Sequence, residues 1–183
     1  MLAVQRAIAT AALLSLLAAC AREKPSLISG FLNNKQAAVF VFLAPDCPLS
    51  QNYTKTLNEL RARFQSERVE FYAVFAGKAV VDDFLSTYKI AFPVLLDRDF
   101  QLADFFGATK TPEAFAVDSM GRTAYKGAID NWVPELGQHR TVITEHYLLD
   151  ALNSLLEHKE LRSTHTEAVG CFIERDIGEE REK

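Results

Sequence analysis

Cysteine is scarce in this sequence: three are present among 183 residues, and they stand far apart. The chain also lacks a glycine-rich phosphate-binding loop, so no organic cofactor is implied. Positive charge is not in excess, since the formal net charge is −4 and no basic patch stands out. We therefore expect neither an organic cofactor nor a nucleic-acid partner.

Long hydrophobic runs are missing as well, and the main apolar run, residues 8–17, is too short to span a bilayer comfortably. Its position after Arg6 and before small residues is typical of a secretory signal peptide. The run ends in Leu17-Ala18-Ala19-Cys20, which resembles the bacterial lipobox, whose cysteine is lipidated and becomes the first mature residue. The alternative is an ordinary signal peptide cut after an A-x-A site. We expect a signal peptide over residues 1–19 and a membrane tether at Cys20.

A lipid anchor at Cys20 would place the mature protein in the bacterial cell envelope, facing the periplasm. The residue after Cys20 is Ala21, not the aspartate that favours inner-membrane retention in other lipoproteins, so the outer membrane is the weakly preferred location. Disulfides are permitted in this compartment. If Cys20 is acylated, Cys47 and Cys171 remain and are able to pair.

Cys47 lies between an apolar stretch, residues 39–43, and an amphipathic stretch that opens with Pro48. This pattern predicts a buried strand followed by a helix. Pro48 suits the first helical position, and the unpaired N–H groups at a helix N-terminus favour a thiolate at Cys47. Cys47 is therefore a candidate nucleophile. The alternative is a half-buried thiol without a function.

The remaining periodicity predicts one α/β domain over residues 31–160, between a linker (20–30) and a C-terminal tail (161–183) that carries Cys171. Alternating strands and helices in the first half predict parallel strands with helical crossovers, and a hairpin adds antiparallel strands. We expect a mixed central sheet with helices on both faces. Strands are predicted over residues 39–43, 69–75, 92–96, 114–117 and 123–126, and helices after Cys47 and over residues 78–88, 99–106 and 141–158.

This order of elements resembles the thioredoxin superfamily. More narrowly, the chain is similar to exported redoxins of the alkyl hydroperoxide reductase/thiol-specific antioxidant kind. The resemblance covers roughly residues 31–175 and rests on four segments: Asp46-Cys47-Pro48-Leu49-Ser50 with Tyr53, residues 111–115 (TPEAF), residues 125–130 (YKGAID) and residues 166–173 (TEAVGCFI).

The resemblance implies a thioredoxin-like fold and a thiol–disulfide oxidoreductase. It identifies Thr111-Pro112 as the pair whose peptide bond is cis and which lies against the catalytic cysteine; the alternative is an ordinary trans turn. Thr111 and Pro112 would hold an extended substrate segment like an added strand, and Pro48 belongs to the same substrate-binding set.

The chain departs from the family pattern at several positions. Ser50 replaces the second cysteine of the usual Cys-x-x-Cys dithiol and cannot resolve a mixed disulfide. Phe40 and Ala44 stand where a peroxiredoxin carries its proline and its Thr or Ser, which puts peroxidase activity in doubt. Asp46 replaces the usual Trp; it is expected to cap the helix, and the alternative is a proton shuttle.

Because position 50 holds no second cysteine, the remaining candidate partner of Cys47 is Cys171, which follows Gly170 in the tail. Our hypothesis is that the tail folds back and that Cys171 resolves a Cys47 mixed disulfide. The alternatives are a structural disulfide that pins the tail and two free thiols.

Two other classes of function stay open. One is Cu(I) binding by the two thiolates and His165, although the copper-chaperone spacing Cys-x-x-x-Cys is absent and no metal ligand is assigned. The other is a tethered binding module with a degenerate site. The favoured interpretation is a thiol–disulfide oxidoreductase that acts on a protein or small-molecule disulfide or thiol and exchanges electrons with a partner protein.

Overall fold

A computed structural model describes residues 27–64 and 68–175 of the chain. The predicted signal peptide, the lipidation site Cys20 and the last part of the tail lie outside these residues. Within the two described stretches, no helix is long and apolar enough to cross a membrane.

The centre of the fold is a five-stranded mixed sheet. Its strands are β1 (Ala37–Phe42), β2 (Val69–Ala76), β3 (Val94–Asp97), β5 (Glu113–Asp118) and β6 (Thr123–Gly127). They lie in the order β3-β2-β1-β5-β6. Strands β1, β2 and β3 run parallel, and β5 and β6 are antiparallel to their neighbours, which confirms the mixed sheet that the sequence predicts.

A second, two-stranded sheet consists of β4 (Lys110–Thr111) and β7 (Cys171–Phe172), which pair antiparallel. Strand β4 immediately precedes β5, whereas β7 belongs to the C-terminal tail. The tail therefore contributes a strand to the folded domain.

Strand β1 is apolar throughout because both of its faces are covered. Side chains alternate across a strand, so Val39 and Val41 join one core cluster while Phe40 and Phe42 join the other. This explains why the stretch before Cys47 has no polar alternation.

Within the described residues, four α-helices cover the sheet: α1 (Pro48–Arg63), α2 (Asp82–Tyr88), α3 (Gln101–Phe106) and α4 (Tyr147–Leu156). Apolar residues of α1, α2 and α4 belong to one core cluster, and those of α3 belong to the cluster on the opposite face. The prediction of helices on both faces is confirmed. Ile28, three residues before the predicted start of the domain, is fully buried beside α3.

Helices α2 and α4 are shorter than predicted, and two residues expected in their cores are exposed: Val80 is 78% and Val142 is 68% accessible. Helix α2 begins at Asp82, where the acidic side chains suit the positive end of the helix dipole. Ahead of α4, the Asn131 side chain accepts hydrogen bonds from the backbone N–H groups of Thr144 and Glu145. These bonds hold the segment before α4 in an irregular conformation.

The tail returns from α4 along β6 before it reaches β4. The backbone N–H of Lys126 donates to Thr164, and that of Thr166 donates to the carbonyl of Lys126. Gly127 has a φ of +132°, and a Cβ there would overlap the Thr166 carbonyl. A glycine is therefore required at residue 127 for the tail to lie this close.

Candidate active site

Cys47 occupies the N-cap position of α1, and Pro48 is the first residue of the helix. This confirms the position predicted from the strand–cysteine–proline pattern. Cys47 itself, and not Asp46, is the N-cap residue, so the prediction that Asp46 caps the helix is wrong. Pro48 is exposed, whereas the Cys47 side chain is only 1% accessible.

The Thr111–Pro112 peptide bond is cis, as the resemblance implies. The Thr111 carbonyl accepts a hydrogen bond from the Cys47 thiol across 3.1 Å. Both residues of the Thr-Pro pair are buried. The structure thus brings Thr111 and Pro112 to the nucleophile, in agreement with their predicted positions.

Cys171 reaches the same place from the tail. In the β4–β7 pair it lies opposite Thr111, and its thiol contacts the Cys47 sulfur at 2.7 Å. A disulfide bond measures about 2.05 Å, so a shift of less than about 1 Å would join the two sulfurs. Both cysteines are free thiols in this structure. Residues 124 positions apart therefore form one dithiol site.

The environment separates the pKa values of the two thiols. Burial raises the pKa of Cys47, but interactions with the Cys171 thiol and with the backbone and hydroxyl of Ser50 outweigh it, so the pKa is lowered. Burial, the Cys47 sulfur and the Asp46 carboxylate raise the pKa of Cys171 to about 12. Cys47 is therefore the better thiolate of the pair, and Asp46 acts on Cys171.

Ser50 has a role that the sequence does not reveal. Its side chain is fully buried, and its hydroxyl accepts a hydrogen bond from the Ala44 N–H at 3.1 Å. It cannot replace the missing cysteine, but it fixes the loop before Cys47 and helps to lower the pKa of that thiol.

Glu113 is a second site residue that sequence reasoning missed. Its buried carboxylate accepts hydrogen bonds from the backbone N–H groups of Thr109 and Lys110, at 2.9 and 3.3 Å. These bonds hold β4, the strand that contacts Cys47 and pairs with β7. A charged residue directly before the apolar run 114–117 was the available signal.

Lys110 ties the tail to the same strand. Its ammonium group forms an ion pair with Glu167 and donates to the Ala168 carbonyl at 2.9 Å. Together with the β4–β7 backbone pairing, these contacts fix the approach of the tail to Cys47.

Behind the site, Tyr53 of α1 donates a hydrogen bond to the buried Asp130 carboxylate at 2.6 Å. Burial, together with the Asp130 carboxylate, raises the pKa of Tyr53 well above its ordinary value. Trp132 packs edge-on against Tyr53 and donates its backbone N–H to Asp130 at 2.9 Å. This network anchors α1 to the segment after β6.

The described residues contain no group of three or more His, Cys, Asp or Glu side chains placed to hold a metal ion. His165 forms a backbone bridge with Lys126, one residue before Gly127. The copper-binding alternative thus lacks a third ligand in this part of the chain. At the peroxiredoxin positions, Phe40 is fully buried and stacks on Tyr72.

The sheet order, the helices on both faces and the cis-proline beside a helix-capping cysteine define a thioredoxin-like fold. The chain belongs to the AhpC/TSA family, whose model matches residues 17–126, more than half of the chain. Cys171 lies beyond the matched region.

Solved structures agree with this fold. A hypothetical protein from Sinorhizobium meliloti 1021 has a TM-score of 0.71 and 22% identity, over 81% of this chain and 85% of that one. A thioredoxin-like protein in its oxidized form has a TM-score of 0.54 and 19% identity, over 72% and 85% of the two chains.

Among curated proteins, the thiol-disulfide oxidoreductase ResA of Bacillus subtilis (strain 168) is 31% identical over 77 residues. The match covers 41% of this chain and 42% of that protein. The chain thus aligns with less than half the length of this relative.

Proposed function

We propose that this protein is a two-cysteine thiol–disulfide oxidoreductase in which Cys47 and Cys171 form and break a disulfide during each cycle. The observation that carries the proposal is the 2.7 Å contact between the two sulfurs. The family membership and the similarity to a protein named thiol-disulfide oxidoreductase support the class of reaction. Because the relative is matched over less than half its length, the substrates and partners of this protein are proposals.

Cys47 is the nucleophile of the pair. Its lowered pKa increases its thiolate fraction, and the thiolate is the form that attacks a disulfide. Cys171 acts as the resolving thiol, because Ser50, at the position of the usual second cysteine, has no sulfur with which to resolve a mixed disulfide. A partner dithiol or disulfide supplies or accepts the two electrons.

The Thr111–Pro112 segment orients the reacting sulfurs. The Thr111 carbonyl contacts Cys47, and the backbone of Thr111 pairs with that of Cys171. Both sulfurs are therefore held by one strand, β4, which favours repeated opening and closing of the same disulfide. Pro48 contributes by starting α1 directly after the nucleophile.

Exchange with a disulfide-bonded peptide tests the proposal. The reduced full chain carrying Cys20→Ala should reduce the peptide and end with an internal disulfide. The Cys47→Ser variant should lose the reaction, and Cys171→Ser should stop at a mixed disulfide or lose the reaction. Undiminished turnover by both variants would refute the two-cysteine cycle and favour a binding module.

The location in the cell is a separate part of the proposal. We infer from residues 1–20 that the protein is exported and lipid-anchored at Cys20, in the bacterial envelope and facing the periplasm. Fractionation of cells tests this: the wild-type chain should sediment with membranes, and Cys20→Ala should release it. Equal release of both forms would remove the anchor from the proposal but leave the redox cycle intact.

A further inference from the structure

A surface groove of about 590 Å³ lies beside the dithiol. The groove is lined by residues 171–174 of the tail, by residues 43–46 after β1, and by the loops after β2 and β3, which include Val80 and Phe100. Cys171 and Thr111 line the groove, but Cys47 does not. The volume falls in the range of sites that hold small organic ligands or short peptide segments.

The two sulfurs differ in how a partner can reach them. Cys47 is 1% accessible and is covered by the Thr111 carbonyl and the Cys171 thiol. Cys171 is partly exposed and lies on the groove wall. A thiol that arrives from solvent therefore meets Cys171 first.

The backbone of the tail adds a second observation. A substrate segment that docks along the Thr111–Pro112 turn would need the edge of β4, but β7 of the same chain already occupies it. In the described part of the chain, the small sheet has only these two strands, so the other edge of β7 has no strand partner. This unpaired edge belongs to the tail segment that lines the groove.

We propose that the reductant of the Cys47–Cys171 disulfide is an extended cysteine-bearing segment of a dithiol partner, that this segment adds to the free edge of β7 in the groove, and that its thiolate attacks Cys171 and releases Cys47. This inference rests on the proposed two-cysteine cycle and gives its order. The substrate of the first half-reaction joins Cys47, whereas the reductant of the second half-reaction joins Cys171.

The chemical step balances with a partner dithiol as the reductant. The partner thiolate attacks the Cys171 sulfur of the internal disulfide, a bond forms between those two sulfurs, and the Cys47–Cys171 bond breaks. Its electron pair leaves on Cys47 as a thiolate. The second partner thiolate then attacks the first partner sulfur, and Cys171 leaves and takes up a proton. The partner loses two electrons, and the protein gains them.

Leaving-group chemistry favours the same order. In thiol–disulfide exchange the sulfur with the lower pKa leaves faster. Attack at Cys171 expels Cys47, whose pKa the backbone and hydroxyl of Ser50 lower, whereas attack at Cys47 would have to expel Cys171, whose pKa burial and the Asp46 carboxylate raise. Accessibility and leaving-group quality thus point to one sulfur.

The groove also fits a peptide chemically. The Phe172 side chain is 72% and the Val80 side chain 78% exposed along it, which offers apolar contact to a partner's side chains. The groove is lined by the cations Lys78 and Arg98 and by the carboxylates Asp46 and Glu174. A bound segment would therefore face groups of both charges. Strand addition at β7 would supply the backbone hydrogen bonds.

The test traps the mixed disulfide. The oxidised full chain carrying Cys20→Ala is mixed with excess of a short peptide that contains a single cysteine, and N-ethylmaleimide blocks the released thiol immediately. Mass spectrometry of the digest should find the peptide on Cys171 and the maleimide on Cys47, with roughly tenfold preference over the reverse pattern. Peptide mainly on Cys47 would overturn the order but leave the two-cysteine cycle standing. An oxidised protein with no Cys47–Cys171 disulfide would instead overturn the cycle itself.

A separate variant tests whether the peptide docks along β7 in the groove. Phe172→Ser should lower the ratio of the exchange rate with the peptide to that with 2-mercaptoethanol by severalfold, because only the peptide uses the groove. Leu136→Ser is the matched control, since Leu136 is 67% exposed and does not line the groove. It should leave the ratio unchanged. An unchanged ratio in Phe172→Ser would contradict docking along β7.

Discussion

Gly170 lies against the carbonyl group of Thr111 so closely that a Cβ at residue 170 would overlap its oxygen and carbon atoms. This close approach allows β7 to pair with β4 and brings Cys171 to Cys47. The absence of a side chain at residue 170 therefore lets the second thiol reach Cys47.

Replacing Gly170 should separate the two sulfurs. We expect Gly170→Ala to displace β7, to cost about 1–3 kcal/mol of unfolding free energy through overpacking, and to weaken formation of the Cys47–Cys171 disulfide. Urea unfolding and the equilibrium with oxidised glutathione measure the two effects. Gly30→Ala is the control, because a Cβ there meets no atom within 4 Å. Equal disulfide formation in both variants would show that the close approach is unimportant.

Removal of the Cys171 thiol should raise the pKa of Cys47. Burial raises the pKa of Cys47, and the hydrogen bond from the Cys171 side chain is the largest of the contributions that lower it. This bond and the Ser50 contacts together outweigh burial. Titration of the thiolate absorbance in the reduced protein, as Cys171→Ala against wild type, measures the change. A Cys47 pKa that stays the same or falls in Cys171→Ala would contradict this electrostatic description.

The stability of the reduced protein should fall in alkaline solution. Cys171 loses its proton near the ordinary pKa of 9.0 when unfolded but near 12 when folded, so the folded state binds more protons in between. The contribution of Cys171 to the free energy of unfolding is thus fully present below pH 9 and is lost as the pH rises toward 12. The difference in urea unfolding between Cys47→Ser and the double variant Cys47→Ser/Cys171→Ser, taken from pH 8 to pH 10, isolates Cys171 from the Cys47 thiol and the buried tyrosines. A difference that is independent of pH would argue against the raised pKa.

Glu113 should contribute both to stability and to the site. In Glu113→Ala, two backbone N–H groups of the segment at β4 lose their acceptor, which should cost about 1–3 kcal/mol and weaken disulfide formation. Glu113→Gln keeps an acceptor oxygen and should cost less. The exposed Glu145 gives the control Glu145→Ala, for which we expect no measurable change. If Glu113→Ala behaved like this control, the carboxylate would not be holding β4.

Loss of the Tyr53 hydroxyl should destabilise the fold without touching either sulfur. Tyr53→Phe removes a 2.6 Å hydrogen bond to a buried carboxylate, at a cost of about 1.5–3 kcal/mol. Tyr88→Phe is the matched control, since the Tyr88 hydroxyl makes no hydrogen bond within the described residues. Urea unfolding compares the two, and equal stability would show that the Tyr53–Asp130 pair adds little.

The local features of the site could be predicted because they depend on short-range rules. An apolar strand, a cysteine and a proline at the next position determine the helix start at Cys47, and the cis bond at Thr111–Pro112 follows from the family resemblance. Helix ends were harder to predict: Val80 and Val142 continue the apolar periodicity, but neither lies in a helix.

The long-range features could only be hypothesised. The contact between Cys47 and Cys171 depends on how the tail passes Gly127 and Gly170, and no periodicity encodes that path. The pairing of Tyr53 with Asp130, 77 residues apart, is likewise a contact between distant segments. Such contacts follow from the assembled fold and not from the pattern of any one stretch.

The most direct test of the two-cysteine cycle is a thiol count with intact mass, taken on the full chain carrying Cys20→Ala across a graded series of glutathione redox buffers. We predict one internal disulfide between Cys47 and Cys171, absent in Cys47→Ser and Cys171→Ser, with a reduction potential well above about −300 mV, the region of inert structural bridges. A protein that forms no internal disulfide at any potential, or one whose disulfide resists reduction throughout the series, would contradict the cycle.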